Sequence, residues 1–139
     1  MEFLAFEFEL SDPLGPTEQA ADCLSNVVAE FRLFVGNTVL YRDLDFPIVE
    51  LVTALSRWCE HVEESGQPFC FDSRSSALRA LFRIFRGAQG WHLGSIQQDL
   101  PSPFVFPLQQ ILTEVQRLIA EVEAAVLDRF GFSALALRR

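Results

Sequence analysis

Two alternating runs joined by Gly36-Asn37 constrain the fold of this chain more than any other feature. Before the joint, Val27, Ala29, Phe31 and Leu33 alternate with Glu30, Arg32 and Phe34; after it, Val39 to Phe46 returns. Glycine and asparagine both tolerate the positive φ angles of a two-residue hairpin turn, so the stretch Asn26 to Phe46 predicts a β-hairpin. Pairing Val35 with Thr38 sets Leu33 opposite Leu40, Ala29 opposite Leu44 and Val27 opposite Phe46, which gathers the apolar residues on one face. Arg42 breaks the pattern. This register puts it opposite Phe31 on the inward side, where only a place at the sheet margin lets its head reach water.

The rest of the chain supplies what such a hairpin needs to bury that face. Glu2 to Leu10 alternates, with Leu4, Phe6, Phe8 and Leu10 on one side and Phe3, Ala5, Glu7 and Glu9 on the other, which predicts a half-buried strand. Asp12 to Pro16 stops it, and Thr17 to Leu24 reads as a short helix. Phe46-Pro47 opens a helix whose apolar residues, Ile48, Leu51, Val52, Leu55, Trp58, Cys59 and Val62, recur at three and four positions, with Ser65-Gly66 as its end. Pro68 to Asp72 is a short strand. Residues 77–86 fit both a helical and a strand period; Gly87 to Gly90 is a hairpin-like turn into Trp91 to Gln98, and a hairpin needs two arms, so strand is the better reading. After Pro101, Pro103 and Pro107, the stripe Leu108, Ile111, Leu112, Val115, Leu118, Ile119, Val122 and Val126 predicts a helix to Phe130, capped at Gly131. The tail 131–139 is expected to fray or to add an edge strand. The expected fold class is α+β: one domain over residues 1–139, a mostly antiparallel sheet of about five to six strands, and two helices packed on one of its faces.

Composition narrows the function. Half of the 139 residues are apolar, enough for a core without disulfide or metal staples. The three cysteines, Cys23, Cys59 and Cys70, are odd in number and far apart, as expected of reduced thiols in a cytoplasmic chain. The N-terminus has no basic region of the secretory type, and no apolar run approaches membrane-spanning length, so neither export nor a membrane is expected. All eleven basic residues are arginine, which removes lysine-based Schiff-base and phosphate-loop chemistry. The net charge of −8 is uneven: residues 1–64 hold thirteen acids and three arginines, residues 65–139 six acids and eight arginines. A net-negative chain repels the phosphate backbone, which argues against nucleic acid and for a basic protein as partner.

No motif points to catalysis, a cofactor or a metal. His61 lies beside Glu60, Glu63 and Glu64 on a solvated helix face, and Cys59, two positions away, points elsewhere into the core. Gly87, Gly90 and Gly94 lack the strand-to-helix setting of a phosphate loop. The long helix is better packed on its own sheet than paired in a coiled coil. A nucleophilic pair of Cys70 with His92, brought together by folding, stays open as an enzymatic alternative. The strongest candidate site is a sheet face: strand phase sends Glu7, Glu9, Glu30, Asp43 and Asp45 away from the helices, with Arg32 and Tyr41 among them. Either this is an ordinary solvated face, neutralised by Arg79 and Arg83, or it is an acidic recognition patch, to which Phe3, Phe34 and Trp91 would add aromatic surface.

The stretch FRLFVGNTVLYRDLDFPIVELVTALSRWCEHV, followed by GWHLGSIQQ, looks like the small acidic α+β immunity proteins encoded beside bacterial toxins. The likeness lies in size, acidity, element order and the Phe-Pro entry from hairpin to helix, and covers about residues 1–130. It carries over no individual residue. It implies a cytosolic inhibitor that binds a toxin domain tightly and blocks its active site or partner surface; the chain's charge adds that such a domain would be basic. The competing expectation is a structural or adaptor subunit that self-associates, or joins a larger bacterial assembly, through its open sheet face. Whether the chain is a monomer or a homodimer is not legible.

Overall fold

A computed structural model describes residues 3–13, 15, 26–72, 81–95 and 104–135. The short helix expected at Thr17 to Leu24, and the outer ends of the meander strands at 77–80 and 96–98, lie outside these residues. The described part is α+β, with β1 (Leu4–Leu10), β2 (Ala29–Val35), β3 (Thr38–Phe46), α1 (Ile48–Ser65), β4 (Phe69–Asp72), β5 (Leu81–Arg86), β6 (Trp91–Ser95) and α2 (Leu108–Phe130). The strands are all antiparallel. Among the described residues they form two three-stranded sheets, β1-β2-β3 and β4-β5-β6, where the sequence suggested one.

The 18-residue α1 lies between β3 and β4, and among the described residues no ladder joins the two sheets. A common core joins them. Phe46 at the end of β3 meets Phe71 of β4 with ring centroids 5.6 Å apart. Trp58 of α1 packs between Phe69 and Trp91 at 5.9 and 6.0 Å, and its indole N–H donates to the Gln67 carbonyl at 2.8 Å. Trp91 and Phe106 exchange two main-chain hydrogen bonds of 2.9 Å, which fixes the chain just before Pro107 starts α2.

Both helices follow their apolar stripes. Ile48, Leu51, Val52, Leu55 and Val62 of α1 and Ile111, Leu112, Val115, Leu118, Val122 and Val126 of α2 are buried in that core. Each such side chain contributes about 1.5–3 kcal/mol of transfer free energy before chain entropy is counted. Each helix ends on a glycine in the left-handed region, Gly66 at φ 64° and Gly131 at φ 77°. Beyond Gly131 the described tail neither frays nor forms a strand. Glu123 accepts from the Ser133 hydroxyl and from the Leu135 N–H, and Ala134 is buried.

The first sheet departs from its expected register in β3. Val35 pairs with Thr38 and Phe34 with Val39, as the turn dictates. Leu33 then pairs with Tyr41 and not Leu40, and Ala29 pairs with Phe46 and not Leu44, because β3 takes one extra residue at each of two bulges. The first bulge reverses the phase of the residues after it. Tyr41, expected outside, is only 4% exposed, and its ring meets Phe31 and Phe46 edge-on at 6.1 Å each. Arg42, expected inside, is solvent-exposed, and Leu44 at the second bulge is 59% exposed.

Candidate interaction surface

The outward face of the first sheet is graded. Near the turn, Ala5, Phe34 and Val39 form one cross-strand row, with Phe3 beyond it on the same side of β1. Phe3 and Val39 are 70% and 48% exposed and stand on the two outer strands, two strands and two residues apart, with the half-buried Phe34 between them. The next row is Glu7, Arg32 and Arg42, and the one after it begins Glu9, Glu30.

These charges are ordered among themselves. Arg32 Nη1 donates to Glu30 Oε2 at 3.0 Å, Arg42 Nε donates to the same oxygen at 3.0 Å, and Arg32 Nη2 lies 3.6 Å from Glu7 Oε1. The hydrogen bond and charge of Arg42, with those of Arg32, hold the Glu30 carboxyl below its ordinary range despite some desolvation. Arg32 and Arg42, neighbours in the same sheet, thus pair with the acids of this face, while Arg79, expected to help neutralise it, lies outside the described residues.

Of the residues expected in the acidic patch, Glu7, Glu9, Glu30 and Arg32 share this face. Tyr41 does not: the bulge at Leu40 turns it into the core. It takes Asp43 with it, because the Tyr41 hydroxyl donates to Asp43 Oδ2 at 3.2 Å and Asp43 Oδ1 accepts from the Asp45 N–H at 3.3 Å. Burial, with the charge and hydrogen bond of Asp43 behind it, keeps the Tyr41 phenol protonated far above its ordinary range. Asp45 is exposed at the second bulge. Trp91 also leaves the patch, being buried in the second sheet.

A cleft of about 860 Å³ opens along the outer edge of β1, between Leu4, Phe6 and Phe8 and the Gln109 to Glu121 side of α2. Arg117 crosses it. Its Nε donates to Glu114, one Nη to Glu121, and the other Nη to the main-chain carbonyl of Phe6. Burial works against the Arg117 charge, but Glu114 and Glu121 outweigh it and raise its pKa. A second hollow of about 650 Å³ lies between the helices, lined by Cys59, Ile119, Glu123 and Leu127. There burial, and secondarily Glu60, pushes the Cys59 thiol up to about 11.

The residues singled out for chemistry stand apart. Cys70 aligns with Arg83 and Gly94, His92 with Phe85, so Cys70 and His92 are two strands and two residues apart, roughly 12 Å. The His92 ring stacks on Phe85 at 5.5 Å, and Arg83 covers the same Phe85 ring at 5.0 Å. His61 is exposed beside Glu60, 4.0 Å away. Among the described residues no group of three or more potential ligands could hold a metal ion, and no helix is long and apolar enough to cross a membrane.

A protein-family model covers residues 4–128, nearly the whole chain; it describes a domain of unknown function, DUF7878. No curated protein and no solved structure matches the chain.

Proposed function

Starting from a chain that belongs to the DUF7878 family, we propose that it is a non-catalytic protein-binding module of the immunity type, acting in the cytoplasm by holding and blocking a basic toxin domain. The observation that carries this reading is the graded outer face of the first sheet. Exposed Phe3 and Val39, with Phe34 in the row between the strands, supply apolar anchor surface, and the Glu7–Arg32–Glu30–Arg42 network supplies a charged rim already held in place. Anchors enclosed by a polar rim are the usual anatomy of a recognition surface, and a rim that is ordered before binding loses little entropy on association. The net charge of −8 favours encounter with a basic partner.

The test is co-expression with the product of the neighbouring gene. Suppression of that product's toxicity and recovery of a one-to-one complex are the expected results. Phe3→Asp with Val39→Asp should keep the circular dichroism spectrum and lose the complex, with a Kd at least about 100-fold weaker if each anchor is worth roughly 1.4 kcal/mol or more. Toxicity unaffected by the chain would reject the reading. A stable homodimer that buries this same face would replace it with a self-associating structural subunit.

A further inference from the structure

Among the described residues, the large apolar side chains most exposed to solvent are Phe3, Val39, Leu44 and Leu127, and three of the four belong to one face. Phe3, just before β1, continues the outward phase of Ala5, Glu7 and Glu9, and Val39 lies across the sheet on β3, both toward the turn. Leu44 joins them through the bulges. The first bulge sets Arg42 opposite Arg32 on the outside, and Leu44, two residues on, keeps that side and is 59% exposed. The second brings Phe46 back to the core, so the outward excursion of β3 is confined to the stretch between the two. Bulges re-aim side chains in this way beside functional surfaces, and here the pair delivers a leucine to the far end of the sheet.

The face therefore has two apolar ends and a charged middle. Phe3, Phe34 and Val39 stand at one end and Leu44 at the other, with the Glu7, Arg32 and Arg42 row between them. Glu9 pairs with Glu30, level with Leu44, and six residues of extended chain from Phe3 to Glu9 rise about 20 Å. Two strand spacings make the face about 10 Å across. Those are the dimensions of a single α-helix of about 13 residues, which is roughly 20 Å long and 10–12 Å thick. A second sheet fits less well, because packed sheets interdigitate apolar side chains across their inner faces and the charged row interrupts this one. Charge sets which flank of the helix lies where. Glu7 and Glu9 are both exposed along β1, and Glu9 stands directly opposite Glu30, a like-charge pair that costs stability in the free sheet. Arg32 and Arg42 relieve Glu30, and a cation supplied from outside relieves Glu9.

We infer that the outer face of the first sheet receives one amphipathic helix of the partner protein, apolar at two points about four turns apart and lysine- or arginine-bearing on the flank that lies over β1. The inference rests on the binding function proposed above and names the element of the partner that is held. Apolar side chains of that helix contact Phe3, Phe34 and Val39 at one end and Leu44 at the other. Its basic residues reach Glu7 and Glu9, which steers the encounter and fixes the direction in which the helix lies.

The probe is an acetylated, amidated, alanine-rich helical peptide of about 18 residues, long enough to cover the face, with leucines at both ends of one side and lysines along one flank. It is compared with a version carrying glutamate for each flank lysine and a version broken by a central proline. Amide shifts of the isotope-labelled full chain should change saturably at Phe3, Phe34, Val39 and Leu44. Leu44→Asp and Phe3→Asp should keep the circular dichroism spectrum and each weaken the peptide at least about tenfold, whereas Leu127→Asp, the same change on α2, should leave it unaltered. The glutamate peptide should bind at least about tenfold more weakly at low salt, by a margin that shrinks as salt is added, and the proline peptide should lose binding. No saturable change at millimolar peptide, equal binding of the proline peptide, an unaltered affinity in Leu44→Asp, or shifts gathered on another surface would overturn the helix site. If the peptide fails while Phe3→Asp with Val39→Asp still abolishes the toxin complex, the helix inference falls alone. If the peptide binds this face while those variants and the toxicity assay show no effect, the functional reading falls and the helix site stands.

Discussion

Replacing Tyr41 by alanine should remove a large part of this protein's stability, because the first bulge of β3 has made a core residue of a position that strict alternation assigns to the surface. Tyr41 is 4% exposed and meets Phe31 and Phe46 edge-on, with centroids 6.1 Å away in each case. Truncating a buried aromatic to alanine costs about 3–5 kcal/mol through lost transfer free energy and the cavity left behind. An exposed tyrosine away from special contacts would change stability by less than about 0.5 kcal/mol. Tyr41→Phe isolates the hydroxyl: the ring stays, the 3.2 Å bond to Asp43 goes, and the loss should be about 1–2 kcal/mol. Urea unfolding followed by circular dichroism reads both. With a slope of about 2 kcal/mol per molar, the alanine variant should unfold roughly 1.5–2.5 M earlier, at an unchanged slope. An alanine variant within about 1 kcal/mol of the parent would refute the bulged register and restore Tyr41 to the outer face.

Two further outcomes come from the ionisable groups. Arg42, with Arg32, holds the folded-state pKa of Glu30 below its ordinary 4.5, so its stabilising contribution is complete above that pH and fades as pH falls through the lowered value. The gap in melting temperature between the parent and Glu30→Gln should thus narrow below about pH 4.5, and a gap constant from about pH 7 to pH 3 would contradict the network. Among the cysteines, Cys70 is exposed whereas the Cys59 thiol is pushed up to about 11, so iodoacetamide near neutral pH should modify Cys70 well before Cys59. Peptide mapping by mass spectrometry reads the order, and equal rates would mean that the inter-helix hollow does not shield Cys59.

Much of the architecture can be read from single residues whose chemistry allows few alternatives. Pro107 and Gly131 bracket α2, Gly66 closes α1, and Gly36-Asn37 turns the first hairpin, each at the position expected. The bulges are harder to see because an extra residue in TVLYRDLDF leaves a plausible alternation on either side. The signal is nevertheless present: the regular register drives Arg42 inward against Phe31, and a charge in an apolar phase marks a slipped strand. The separation into two sheets has no such local sign, since residue period reports which face is buried and not which strand is the neighbour. The cleft is least legible. It depends on Arg117 meeting the Phe6 carbonyl across 111 residues of chain, a contact that helix packing creates and neither segment announces. The acidic face is half legible: Glu7, Glu9, Glu30 and Arg32 share it, and Arg32 pairs with Glu7 and Glu30 there, but the second arginine on Glu30 requires Arg42 to turn outward.

The aromatic contacts that join the two sheets also give the molecule two separate optical signals. Its one tyrosine, Tyr41, lies in the first sheet, while both tryptophans, Trp58 and Trp91, touch each other where α1 meets the second sheet. Near-ultraviolet absorbance of the phenol, corrected for the indoles, then tracks one half of the fold, and tryptophan emission tracks the other. Because Phe46 and Phe71 link the halves through shared core, the two signals should lose amplitude together on denaturation, as all-or-none unfolding requires. An earlier loss in either channel would identify the half that opens first.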